Sequence, residues 1–194
     1  GESVASDVLV VENALPPGTA DRSGRRTVIS GDNSVFELSG FDQALAHFRT
    51  AHGLFGRAGD RRGVAAALDD IGKCHWMRGE YDDALEHHRQ ALALRRELAD
   101  KRSIALALSN IGRVHQDTGS FKAAIECFDE ALGLRAEILD KSGVIRSLWD
   151  LGRVHEALGD PQQACALYVQ AHETAKEIDH QVHLDGQLPS WLLK

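Results

Sequence analysis

Residues 101–140 read KRSIALALSNIGRVHQDTGSFKAAIECFDEALGLRAEILD, and the stretches on either side repeat this pattern at a spacing of forty residues. Ten positions of the central copy recur in its neighbours with few changes. They are Leu108, Ile111, Gly112, His115, Gly119, Phe121, Ala124, Phe128, Ala131 and Leu132. Similarity at a fixed period is the sequence signature of stacked structural repeats. The sequence therefore predicts a repeat protein, and function has to be sought on its surface.

Each repeat is predicted to be a pair of amphipathic helices of about 17 residues. In the first helix of the central copy, apolar residues recur every three or four positions and so share one face. These residues are Ile104, Leu108, Ile111 and His115. Gly119 marks the turn, since glycine tolerates positive φ, and the second helix begins near Phe121. Asp60, Asp100 and Asp140 stand between copies where N-caps are needed.

The order Leu–x2–Ile/Leu–Gly–x2–His–x3–Gly–x–aromatic–x2–Ala–x3–aromatic–x2–Ala resembles the tetratricopeptide repeat (TPR). That repeat has a usual period of roughly 34 residues. The forty-residue spacing is similar to the elongated variant of cell-polarity adaptors and bacterial signalling regulators. The resemblance spans residues 40–179 and implies an all-α fold, a right-handed α-solenoid of antiparallel helix pairs that forms a TPR-like superhelix.

The domain boundaries predicted from the repeat divide the chain into three parts. Residues 1–30 are an irregular leader, with the alternative that an apolar run at residues 8–11 docks against the solenoid. The repeats occupy residues 31–182, in a degenerate copy at 31–59 followed by copies at 60–99, 100–139 and 140–179. The degenerate copy pairs a short helix at residues 32–38 with a longer one that begins near Phe41. Residues 183–194 form a helix that caps the last repeat.

Composition narrows the classes of function. The 194 residues are 43% hydrophobic, enough for one continuous domain. A net charge of −7 argues against a general nucleic-acid binder, because phosphate binding needs a basic surface. No apolar run is long enough to span a membrane. The three cysteines form no CxxC pair, which favours free thiols in a reducing, cytoplasmic setting.

No motif predicts catalysis, a cofactor or a metal site. His75, His115 and His155 recur every forty residues and would lie about 10 Å apart, one repeat from the next. Ligands of one zinc ion lie about 2 Å from it, so this series cannot share a metal. We expect these rings to pack between paired helices. Neither a nucleophile elbow nor a phosphate-binding glycine loop is present, so we expect no enzyme.

The TPR resemblance implies that ligands lie on a concave surface formed by the first helices. The positions concerned are Asp69, Lys73, Trp76, Asn110, Arg113, Gln116, Trp149, Arg153 and Glu156. Among them, Lys73, Arg113 and Arg153 form a series of cations that could hold a carboxylate or acidic side chains of a peptide. Tryptophans supply apolar anchors. The alternative is that the cations pair locally, as Asp69 with Lys73 and Asp150 with Arg153.

The sequence therefore predicts a protein–protein interaction module that binds a peptide or helix, as one domain of a larger regulatory, signalling or scaffold protein. One alternative is a self-associating or autoregulatory element, a homo-oligomer or a groove filled by residues 8–11. A second alternative is a fragment of an enzyme that binds a metal or a small molecule.

Overall fold

The computed structural model describes residues 34–177, with side chains from residue 41 onward. This part of the chain consists of helices and contains no strand, so the predicted all-α fold is confirmed. The helices are α1 (Ser34–Ala58), α2 (Arg61–Met77), α3 (Tyr81–Glu97), α4 (Lys101–Asp117), α5 (Phe121–Glu137), α6 (Lys141–Ala157) and α7 (Pro161–Glu177). None of these helices has the length and apolarity needed to cross a membrane. The predicted leader at 1–30, with its apolar run at 8–11, and the predicted capping helix at 183–194 lie outside the described residues.

The chain divides into two compact units, which meet inside α3 between Leu94 and Arg95. In the first unit, α1 packs against α2, and α2 packs against α3 through Gly72 and His88. In the second unit, α4 packs against α5, α5 against α6, and α6 against α7. The first helices of its two hairpins, α4 and α6, also contact each other. The second unit is therefore two stacked helical hairpins.

Every linker between consecutive helices ends the helix before it with a residue of positive φ. After α4 this residue is Gly119, with φ of 74°. Its N–H donates to the carbonyl of Gln116 (3.1 Å), and the N–H of Ser120 donates to that of His115 (2.8 Å). These two bonds form a Schellman motif, which satisfies carbonyls at the end of the helix. The same bond pattern follows α1, α2, α3, α5 and α6.

The aspartates between repeats cap the helices that follow them, as the sequence predicted. The side chains of Asp60, Asp100 and Asp140 accept the backbone N–H three residues later, at 3.0, 3.2 and 3.1 Å. Each bond satisfies one of the N–H groups left without a partner at a helix start and contributes about 1 kcal/mol. Each of these short linkers thus ends one helix and begins the next.

Inside each hairpin, a helical glycine faces a buried ring of the partner helix. The pairs are Gly72 with His88, Gly112 with Phe128, and Gly152 with Tyr168. A Cβ atom at these glycines would lie 2.8, 2.7 and 2.3 Å from the ring, closer than real Cβ atoms come to other atoms. The rings are almost fully buried. The absence of a side chain on the first helix therefore allows the two helices to approach.

Each unit buries its own apolar core. In the first unit the core contains Ala44, Leu45, Ile71 and Cys74. In the second unit it runs through α5, α6 and α7, and its members are Ala124, Phe128, Ile145, Leu148, Leu151, Val154, Leu167, Ala171 and Ala175. Small alanines alternate with large side chains along this core, which suits close packing between helices.

The degenerate first copy differs from the expectation of two helices, because α1 runs unbroken from Ser34 to Ala58. In the α2/α3 linker, Gly79 adopts positive φ two residues before Tyr81. Phe41 is the residue equivalent to Tyr81, so a turn here would need its glycine at position 39. That residue is Ser39, and the glycine stands one position later, at Gly40. A glycine inside a helix costs only about 1 kcal/mol relative to alanine, so nothing at this point forces a turn.

The close approach of Gly112 to Phe128 predicts that Gly112→Ala lowers the free energy of unfolding. A methyl group here must displace a buried ring, and such overpacking costs about 1–3 kcal/mol. Gly133 is the matched control, since it is also helical but has nothing within 4 Å of its Cβ position. Gly133→Ala should raise stability by roughly 0.5–1 kcal/mol. Urea unfolding measures both changes, and equal stabilisation by the two substitutions would contradict the contact.

The conformation of Leu139 predicts that a substitution to glycine is stabilising there. Leu139 adopts φ of 55° after α5, where the equivalent residue after α1 is Gly59, and its side chain is 85% exposed. A left-handed conformation costs a non-glycine residue about 1–2 kcal/mol. Leu139→Gly should therefore raise the melting temperature, with a gain of roughly 1 kcal/mol in unfolding free energy. Ala136→Gly, an exposed helical site three residues earlier, should lower it by a similar amount. If Leu139→Gly lowered the melting temperature as Ala136→Gly does, the turn would not be strained.

Candidate functional site

The second unit carries six of the predicted site residues on α4 and α6, the two first helices that contact each other. We call this surface the α4/α6 face. Its residues are Asn110, Arg113, Gln116, Trp149, Arg153 and Glu156. On α6 the core side chains Leu148 and Leu151 point into the protein. Residues spaced by four and three positions, starting from Trp149, are left on the opposite side of the helix.

Arg113 on α4 is paired across helices with Asp150 on α6. The Arg113 Nη2 donates to the Asp150 Oδ2 at 3.3 Å. Asp150 is only 5% exposed, whereas the Arg113 side chain is 31% exposed. A carboxylate at this depth needs a charged partner. The local Asp150–Arg153 pair that the sequence suggested is therefore replaced by a contact that joins two repeats.

Arg153 is the cation of this face that remains available. Its residue is exposed, and among residues 41–177 it makes no ion pair or hydrogen bond. Trp149 lies one helical turn before it and is half-buried. The Trp149 ring packs on Tyr168, with 4.5 Å between ring centroids and 35° between ring planes. An exposed guanidinium thus stands beside an aromatic surface that the core holds in place.

Glu156 is engaged by the same aromatic residue. The Tyr168 hydroxyl donates to the Glu156 Oε2 at 2.6 Å. Burial, and then this bond to Glu156, raises the pKa of Tyr168, so the phenol stays protonated and remains a donor. The carboxylate of Glu156 is held in place by the hairpin, but it is exposed and keeps its negative charge.

Asn110 and Gln116 provide the uncharged polar groups of α4. Asn110 is 6% exposed, and its Nδ2 has no hydrogen-bond partner among the described residues. A buried donor left without an acceptor costs about 1–3 kcal/mol. Gln116 is half-buried, two turns further along the helix. Gln116 thus offers a polar group on the same helix as Arg113, whereas Asn110 is too deeply buried for a partner to reach.

The first unit carries the other three predicted residues on α2, and one of them is misassigned. Asp69 is 2% exposed and binds the Nδ1 of buried His88 at 2.9 Å, so it is out of reach of a partner. His88 stands where the other copies have Phe128 and Tyr168, and its ring nitrogen needs a polar neighbour in the core. The sequence also offered, as an alternative, a local pair of Asp69 with Lys73.

Lys73 instead donates to Asp70, three residues earlier, at 3.0 Å. Its side chain stays 43% exposed, so this pair contributes little to stability. Trp76 is half-buried at the end of the same helix. Two of the three predicted cations, Lys73 and Arg113, are therefore paired within the chain.

Sequence analysis missed two groups of residues. Arg146 is exposed on α6 two turns before Arg153, and Leu106, its equivalent on α4, is 36% exposed. The repeat register alone could have placed both on the first-helix surface. The second group is His75 with Glu80 and Asp83, whose ligand-type atoms all lie within 4.8 Å of one another. Here the histidine turns to the start of the next helix, at 2.6 Å from Glu80.

Comparison with known proteins gives one matching family. The family model described as tetratricopeptide repeat matches residues 34–97 and 103–177. No curated protein matches the sequence.

Solved structures share the fold at low sequence identity. BtubC (BKLC) from P. vanneervenii has a TM-score of 0.65 and 19% identity, over 72% of this chain and 58% of that chain. Aspartyl phosphate phosphatase F from Bacillus subtilis has a TM-score of 0.70 and 14% identity, over 78% and 40%. The apo form of RapI has a TM-score of 0.65 and 18% identity, over 74% and 53%. This chain thus spans little more than half the length of these proteins, or less. The family model covers most of its residues, and the chain belongs to the tetratricopeptide-repeat family.

Proposed function

We propose that this chain is a non-catalytic module whose α4/α6 face binds an acidic segment of another protein. Repeat proteins of this kind use the extended surface of their stacked helices for binding. The observation that carries the proposal is Arg153, an exposed guanidinium with no partner in the described chain, which stands beside Trp149. No bond is made or broken in this function, since the face has no nucleophile paired with a base.

The sign of the charge on this face supports an acidic partner. Arg153 and, two turns before it on α6, Arg146 are exposed. Arg113 is half-buried over the buried Asp150. The negative charge that remains exposed on the face is Glu156, which is held by a tyrosine, so these arginines outnumber the acids. The whole chain has a net charge of −7, so this positive surface runs against the overall balance. Guanidinium groups bind carboxylates through two parallel hydrogen bonds. Complementary charge also speeds association and excludes wrong partners.

The aromatic group beside the cation supplies the rest of the recognition. Trp149 is fixed by its contact with Tyr168, so it loses little freedom when a partner packs against it. Tryptophan and arginine are the residues most often found at energetic centres of interfaces. We propose that an acidic side chain binds Arg153 while an apolar neighbour of it packs on Trp149. The role of such capture is regulatory or scaffolding, within a larger protein.

Binding to an array of short random peptides, sorted by net charge, tests this proposal. We expect acidic peptides that also carry an apolar residue to be enriched, with affinity that falls as salt rises. Arg153→Gln should weaken the best of them about ten-fold or more, since hydrogen bonds to charged groups contribute about 1.5–3 kcal/mol. Lys122→Gln on α5 removes the same charge away from the face and should have no effect.

Two results would contradict the acidic-peptide proposal. One is enrichment of peptides without regard to charge. The other is an equal loss of affinity in the Arg153→Gln and Lys122→Gln variants, because that loss would reflect overall charge and not this face. Circular dichroism of both variants checks that their helices are intact.

A cytoplasmic location is part of the proposal, and the cysteines support it. None of the three cysteines, all of them in the described part of the chain, forms a disulfide; Cys74 is buried, and Cys127 and Cys165 are half-buried. Burial, and next the charge of Asp70, raises the pKa of Cys74 to about 11. Only the thiolate reacts, so at pH 8 roughly a thousandth of Cys74 is in reactive form.

The reactivity of the thiols with Ellman's reagent follows from these environments. At pH 8 the native protein should react quickly at Cys127 and Cys165, and slowly at Cys74. The rate at Cys74 should rise steeply towards pH 11 or on unfolding in urea. Cys74→Ala, which leaves two thiols, should abolish the slow phase. Three equally fast thiols in the native protein would contradict the buried position of Cys74.

A further inference from the structure

We propose that His75, Glu80 and Asp83 form a binding site for a divalent ion of the zinc class. The three residues surround the linker between α2 and α3, within the first unit. The ligand-type atoms of all three lie within 4.8 Å of one another. Neither the family match nor the proposed partner-binding function requires this arrangement, so the site is an independent property of the chain.

The three side chains of the cluster differ in burial, from a buried imidazole to an exposed carboxylate. His75 is 8% exposed, so its ring is buried behind the carboxylates. Its Nδ1 lies 2.6 Å from the Glu80 Oε2. The Glu80 side chain is 34% exposed, and Asp83 is exposed. An ion could therefore approach from solvent and meet the imidazole last.

The nitrogen of His75 that faces the carboxylates is Nδ1. In the metal-free chain a proton on Nδ1 donates to Glu80, because a carboxylate only accepts hydrogen bonds. An ion in the cluster would bind Nδ1 in place of this proton, and its binding would release a proton. The Nε2 of His75, which is buried and has no partner in the described chain, points away from the carboxylates and takes no part in the site.

A second imidazole lies beside the cluster. The ring of His87 stacks on that of His75, with 5.1 Å between centroids and 17° between planes. The Nδ1 of His87 donates to the carbonyl of Asp83 at 2.8 Å, which leaves the lone pair on its Nε2. His87 is not one of the clustered residues, and its stacked ring supports the orientation of the His75 ring.

The other repeats serve as an internal control for this arrangement. Where the first full copy has Glu80 and Asp83, the second has Ser120 and Ala123. The third has Asp160 and Gln163, and there His155 lies 3.7 Å from its aspartate with no second carboxylate. The helical hairpin therefore forms without two acids at these positions, and helix capping alone does not explain them.

The residue types determine which ion fits. One imidazole with two carboxylates suits Zn²⁺ and its neighbours Co²⁺ and Ni²⁺, which accept nitrogen and oxygen ligands. Mg²⁺ and Ca²⁺ prefer oxygen ligands throughout. The Nε of Arg78 binds the Oε1 of Glu80 at 2.9 Å. This contact orients the carboxylate and leaves its other oxygen, Oε2, turned towards His75.

Isothermal titration of the full chain with ZnCl₂, under a reductant that does not bind metal, tests the site. We expect one tight equivalent that an excess of Mg²⁺ does not displace. Asp83→Asn and Glu80→Gln should each weaken it by at least about ten-fold. Asp160→Asn removes the corresponding acid beside His155 and should leave the affinity unchanged.

A readout on the rings separates this site from the other histidines of the chain. On addition of Zn²⁺, the ¹⁵N resonances of the His75 ring should shift, and those of His155 should not. Circular dichroism of the Asp83→Asn variant, whose changed residue is exposed, establishes that it is folded. Zinc affinity that is the same in wild type and in both carboxylate variants would place the ion elsewhere and overturn the proposal. Displacement by Mg²⁺ at equal concentration would also overturn it.

Discussion

The contact between a helical glycine and a buried ring sets the spacing of the paired helices in this protein. In the α4/α5 hairpin the ring of Phe128 occupies the space that a side chain on Gly112 would need. The ring is fully buried, so its displacement would disturb the packing of the core. Because the same pair recurs in each hairpin, equivalent positions on successive first helices acquire similar exposure. The surface available to a partner follows from this spacing.

The linkers turn that spacing into a regular repeat. Each of the first two full repeats contains two helices of 17 residues, and each of these helices is followed by a three-residue linker, which together give the forty-residue period. Each linker needs one residue of positive φ and then one that can begin a helix. Gly119 and Ser120 meet these needs after α4. When the glycine is displaced by one position, as at Gly40, the helix continues.

These local rules explain which parts of the structure were accessible from the sequence. The caps at Asp100 and Asp140 and the turn at Gly119 depend on residues within one linker, and they were predicted correctly. The pairing of Arg113 with Asp150 depends on how α4 lies against α6, some 37 residues apart along the chain. A single sequence offers nearer partners for both residues and no way to choose among them. Pairs between residues that are distant in sequence therefore determine which charged groups stay unpaired on the surface.

The burial of Asp69 was missed for a related reason. Its position in the repeat is that of Ser109 and Trp149, and nothing in α2 distinguishes it as internal. The equivalent Ser109 is buried as well, so the position itself is internal. What His88 on α3 explains is the carboxylate at this position, because its polar ring in the core requires a polar partner. A prediction from the sequence would have had to consider positions 69 and 88 together, because a polar ring at one of them requires a polar group at the other.

The contacts of two acids in the second unit determine which charges its surface presents. Asp150 is used by Arg113, and Glu156 by Tyr168. Asp150 is neutralised by its cation, whereas Glu156 keeps its negative charge and is only held in position by a neutral hydroxyl. Arg153 lies between these two acids on α6 and is left without either of them. An acidic chain can therefore present an unpaired cation for binding, because the nearest carboxylates are held by contacts within the scaffold.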